Sequence, residues 1–222
     1  MLSFSIEEFL LVLGSYNLAI WPLQIIAYVL IVLVLFFSLY PQKYSSKIVM
    51  AVLSFFWLFT GIVFCFLCWA PNHIFGYIFG ICCIAQGLLF LYSIIRSDIT
   101  INSLNKTNKL IGILFILYAV IGYQIFGYYL GHIYPELFAV GLVPCPTTIF
   151  TFGVFIIVST KIPIKYFVIP FVISLGGFLA AYNGIYEDIF LLIIGILGTI
   201  LIIKRNEQLI RREVRNYESS KM

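Results

Sequence analysis

Two prolines bracket a cysteine at Pro144-Cys145-Pro146, inside the otherwise apolar stretch "GLVPCPTTIFTFG" (residues 141–153). Each proline lacks an amide proton, and its ring clashes with the helical carbonyl four residues earlier. Cys145, which precedes a proline, is pushed out of the helical region. An unbroken helix through 141–146 is therefore not expected. Pro146 can open a new helix with Thr147 and Thr148 in its first turn. The amides and positive dipole end there would lower the pKa of a nearby thiol, which singles out Cys145 for reactivity or metal ligation. Unwound backbone at membrane depth survives where protein buries it or where it lines a watered cavity. Broken helices of this kind build substrate and ion sites in transporters. The plainer alternative is a rigid kink whose threonines satisfy local carbonyls.

Other chemistry-bearing residues belong to the same set of links. "GHIYPE" supplies His132, Tyr134 and Glu136, and "SYNLAIWP" supplies Tyr16, Asn17 and Trp21. His73 stands alone, and "NGIYED" adds Asn183, Glu187 and Asp188. Cysteine and histidine together suit a soft or borderline cation such as Zn²⁺ or Cu⁺, although no fixed ligand spacing marks such a site. Cys145 and His132 are thus the candidate ligand-binding pair, and the candidate metal pair. Thr147 and Thr148 would line the same site, with Glu136, Tyr134, Asn17 and Trp21 around it. Trp21 and the many Phe and Tyr residues also admit a lipid or quinone, though aromatic belts at the membrane interface explain them more simply. Cys65 and Cys68 share a helical face, but in an apolar helix they read, like Cys82 and Cys83, as packing residues.

The elements that must hold these residues are membrane helices. Of 222 residues 63% are hydrophobic and 10% charged, too little charge to clothe a soluble domain of this size. Seven apolar segments approach the length of roughly 20 residues needed to cross a bilayer: 18–40, 48–70, 74–95, 110–129, 137–159, 164–181 and 189–203. All 13 Lys and Arg fall in the first, third and fifth links and the tail from Lys204. By the positive-inside rule the N-terminus is then outside and the C-terminus cytoplasmic. The expectation is an all-α polytopic transmembrane bundle, one integral membrane domain of seven spans, the fifth broken at Pro144-Cys145-Pro146. Residues 1–15 read as an interfacial amphipathic helix capped by Ser5, with no cleaved signal peptide, and residues 204–222 as a basic tail able to hold anionic lipid headgroups.

Several chemistries are excluded. No Lys, Arg, Asp or Glu falls near the middle of a segment, which argues against an ordinary proton relay. The seventh segment has no lysine for a retinal Schiff base, and nucleotide-binding, HExxH and Gly-x-Ser-x-Gly patterns are absent. Nucleic acid binding has no motif behind it. Gly76 and Gly80 form a small-xxx-small stripe that can pack helices within the chain or in a homo-oligomer.

The combination of "YNLAIWP", "GHIYP" and "GLVPCPTTIFTFG" resembles an uncharacterised family of small bacterial multi-pass membrane proteins. Its hallmark falls here on Gly131, His132, Tyr134, Pro135 and on Pro144, Cys145, Pro146, Thr147, Thr148, with Asn17, Trp21 and Pro22 matching its first span. The resemblance implies a bacterial inner-membrane protein and no known activity. The expected function is binding or transport of a small solute or soft metal ion at an outward-facing polar cavity. The alternatives are a membrane thiol enzyme or redox protein using Cys145, and a structural or sensory protein without a ligand.

Overall fold

The computed structural model describes residues 6–101, 106–157 and 160–219, and these are all-α. The expected Ser5 cap, Ser159 at the end of the fifth segment and Lys221 lie outside the described residues. Helix α1 (Ile6–Ala19) carries Glu7 and Glu8 in its first turn, where carboxylates suit the dipole. It runs past Gly14 and Ser15 to Ala19, with Gly14 beside the Pro135 and Glu136 side chains. The chain then breaks at Pro22, which lacks an amide proton, and α2 (Leu23–Leu39) leaves at 85° to α1.

Helix α3 (Ser45–Phe59) continues as a π-helical segment, Thr60–Trp69, and α4 (Ile74–Arg96) returns alongside it. Helix α5 (Lys106–Leu117) passes through a second π-helical segment, Tyr118–Gly122, into α6 (Tyr123–Tyr129). After an irregular stretch come α7 (Pro144–Ile157), α8 (Val168–Tyr182) and α9 (Asp188–Ser219).

The seven-span expectation is overturned. Among the described residues three helical runs are long and apolar enough to cross a membrane: Ser45–Trp69, Ile74–Arg96 and Asn108–Tyr129. The α1–α2 pair makes a fourth if the bent helices count as one span. The segment expected at 137–159 yields a helix of only 14 residues, and that at 164–181 one of 15. At 1.5 Å per residue these reach about 21–23 Å, short of a hydrocarbon core of roughly 30 Å. The inside–outside assignment rested on that count and goes with it. The fifth segment is also not broken at Pro144-Cys145-Pro146: all three residues lie in the first turn of its helix, which begins at Pro144, and residues 137–143 before it are turn or irregular backbone.

Helix α7 packs against α3, α5, α8 and α9. Its close neighbours are held by small residues: a Cβ on Gly153 would lie 2.9 Å from the Gly112 carbonyl of α5. Its last carbonyls, on Phe155 and Ile156, accept from Arg205 Nη1 at 2.7 and 3.3 Å. Arg205 thus caps a buried helix end rather than joining the exposed basic tail. Gly76 and Gly80 face Ala70 and Phe66 of the same chain, so the stripe is used internally.

Candidate functional site

Helix α7 starts where the proline pair permits. Gly141 adopts φ +82°, a left-handed turn that glycine enters freely, and its amide donates to Thr147 Oγ1 at 2.8 Å. Thr147 Oγ1 in turn donates to the Val143 carbonyl at 2.6 Å, and Thr148 Oγ1 to the Pro144 carbonyl at 2.9 Å. Thr151, which donates to Thr147, accepts from Trp57 Nε1 at 2.9 Å. The threonine hydroxyls are therefore spent on fixing the helix start, and the local-carbonyl alternative describes them. Every residue of α7 is buried except Cys145, which keeps accessible surface.

That surface faces a cavity of about 220 Å³. Six aromatic rings line it: Phe9 from α1, Phe64 and Trp69 from the first π-helical segment, Phe75 and Phe79 from α4, and Phe138 from the irregular stretch. The rings pack on one another, with Phe9 5.2 Å from Trp69 and Trp69 5.5 Å from Phe79 between centroids. The polar residues of the wall are Cys145, Asn183 and Asp188. The polar cavity expected beside Cys145 is thus an apolar, aromatic one. A second, more polar cavity of about 340 Å³, containing Glu8, Asn72 and His73, adjoins it through Phe9 and Trp69.

Behind Cys145 lies a buried polar cluster. Asp188, the first residue of α9, has no accessible surface, and its Oδ1 accepts from Tyr123 Oη. The Cys145 thiol also reaches its carboxylate. Burial pushes the Asp188 carboxyl up to about 7, against the opposing pull of Tyr123 and Cys145. Its neighbour Glu187, equally buried, places Oε1 2.5 Å from His132 Nδ1. That bond raises the imidazole pKa, although burial opposes it. Tyr118 Oη donates to the Glu187 carbonyl at 3.1 Å. Both π-helical segments thus deliver residues here, Phe64 and Trp69 from one and Tyr118 from the other; such widened turns recur at functional sites.

The sequence-derived candidates divide. Cys145 lines the cavity, and His132 stands in the adjoining cluster, bound to Glu187. Asn17 is buried and its Nδ2 donates to the carbonyls of Pro135 and Leu137 at 2.6 and 2.7 Å, tying α1 to the irregular stretch. Thr147 and Thr148 do not line the cavity. Trp21 and Tyr134 are exposed, and Glu136 packs beside Gly14. Among the described residues no group of three His, Cys, Asp or Glu side chains is arranged to hold a metal ion. Burial first, and then the Asp188 carboxyl beside it, disfavour a Cys145 thiolate and oppose the expected activation by the helix end. Sequence reasoning named Glu187 and Asp188 only as link residues and missed Tyr118 and Tyr123; the signal available was an acidic pair flanked on both sides by apolar residues.

Long apolar helices packed around a buried polar cluster define a multi-pass helical membrane protein. The chain belongs to a family of unknown function, DUF6064, whose model matches residues 6–212. No curated protein and no solved structure matches it.

Proposed function

We propose that this protein binds an apolar molecule from the bilayer in the aromatic cavity beside Cys145. The observation that carries the reading is the cavity itself: six rings surround a space next to the single residue of α7 that is not buried. An apolar cavity of about 150 Å³ holds a benzene-sized molecule, so the space here accommodates a ring with a short chain. Aromatic walls favour such a guest by stacking as well as by burial. A soft metal ion is a poorer fit, because His132 is taken by Glu187 and the walls offer few donors. The likeness carried by Gly131-His132 and Pro144-Cys145-Pro146 supports a bacterial inner membrane as the setting.

The test is thermal unfolding of purified protein in detergent with increasing propylbenzene. Ala180 lines the cavity, and Ala180→Phe would fill it. Propylbenzene is expected to raise the midpoint of the wild type by mass action and to leave Ala180→Phe unmoved. Equal shifts in both proteins, or none in the wild type, would overturn the assignment.

A further inference from the structure

The cavity wall contains one group whose chemistry is incomplete. Asp188 has no accessible surface; Tyr123 and Cys145 reach its carboxylate, yet Oδ2 has no hydrogen-bond partner among the described residues. Buried polar atoms are nearly always paired, and an unpaired one asks for a ligand. A buried carboxylate further asks for a positive charge. Neither described salt bridge reaches it: one joins His132 to Glu187, the other Lys165 to Asp98. The titratable groups facing Asp188 are Tyr118 from the second π-helical segment, Tyr123 from α6, Cys145 from α7 and the adjacent Glu187, none of them a cation.

The other walls are ring faces, whose quadrupoles attract cations. A carboxylate lacking a counter-ion, at the edge of a six-ring apolar space, matches one ligand type in both charge and surface. Resting on the apolar-binding reading above, we infer that the cavity selects a lipophilic amine, its ring or short chain among Phe9, Phe64, Trp69 and Phe79 and its protonated nitrogen paired with Asp188, which it reaches as the Cys145 side chain in front of the carboxylate turns aside. A neutral alcohol of the same size satisfies the hydrogen bond but neither the charge nor the ring faces. A hydrocarbon satisfies none of these.

Three probes of matched size separate the possibilities: propylbenzene, 3-phenylpropan-1-ol and 3-phenylpropylamine, each titrated against purified protein at pH 8. The amine is expected to bind about tenfold or more tighter than the alcohol, since a charge-assisted bond and cation–π contact are added. In Asp188→Asn that advantage should vanish while propylbenzene binding persists. Wild-type protein at pH 5.5, where the Asp188 carboxyl is protonated, should lose the amine preference in the same way, a check that does not depend on the variant folding. Equal affinity for amine and alcohol, or an amine preference unchanged at pH 5.5, would overturn the inference and leave apolar binding standing. No binding by any of the three would overturn both.

Discussion

His132 Nδ1 lies 2.5 Å from Glu187 Oε1, a buried contact between residues 55 positions apart that joins the stretch after α6 to the link before α9. Glu187 has no accessible surface, so removing its partner strands a charge away from water. His132→Ala is expected to cost about 3–5 kcal/mol, the range for breaking a buried ion pair. Glu187→Gln, which keeps a polar group in place, should cost less, about 1–3 kcal/mol. The double variant should be less destabilised than the two single losses added together, and thermal unfolding of all four proteins in one detergent checks the coupling. Strict additivity would show that the pair does not interact.

The two ends of this polar cluster make stability fall as pH rises. Asp188 is held at about 7, far above an ordinary aspartate, so the folded protein binds a proton that the unfolded chain has released. Its contribution is complete below the unfolded value near 4 and is lost progressively as pH rises to 7. His132 is raised above its ordinary 6.5, so its contribution is complete below 6.5 and is lost as pH rises through the folded value. The signs agree. The unfolding midpoint should therefore decline between pH 5 and pH 8. Asp188→Asn should flatten the decline below 7, and His132→Gln should flatten it above 6.5. A midpoint that rises over this range would contradict the assignment of both groups.

The sequence makes some of this arrangement legible. Pro144-Cys145-Pro146 forbids a helix that runs on from residue 141, and none does, but α7 begins at Pro144 and takes Cys145 into its first turn, two residues earlier than the start expected at Pro146. Cys145 stands out on the same grounds, and with Pro144 it is what α7 contributes to the cavity wall. The span count was not legible, because hydropathy rises alike for a membrane-crossing helix and for a short helix enclosed by others. Helix α7 is apolar throughout and buried on all sides, but it is only 14 residues long. The acidic pair escaped notice for the opposite reason: carboxylates in a short link are ordinarily solvated, and only the packing of Tyr118, Tyr123 and His132 around Glu187 and Asp188 shows these are not. The π-helical segments at Thr60–Trp69 and Tyr118–Gly122 have no local sequence signature, since an extra residue per turn is imposed by what the helix packs against.

The position of α7, and with it of Cys145, depends on the approach of two glycines. A Cβ on Gly153 would sit 2.5 Å from Ile116 Cγ1 and 2.9 Å from the Gly112 carbonyl oxygen, and the second of these cannot rotate away. Apolar attraction to lipid does not discriminate between helices in a bilayer, so close backbone contact of this kind is what holds such pairs together. Gly153→Ala is expected to cost about 1–3 kcal/mol, the usual penalty for overpacking a fitted interior. Gly14 of α1 is the control, because a Cβ there would meet Pro135 and Glu136 side-chain atoms no nearer than 3.4 Å. Gly14→Ala gains helix propensity of about 1 kcal/mol and should hold or raise the unfolding midpoint. If both substitutions proved neutral, the α5–α7 crossing would not be the tight contact that places the thiol against the aromatic cavity.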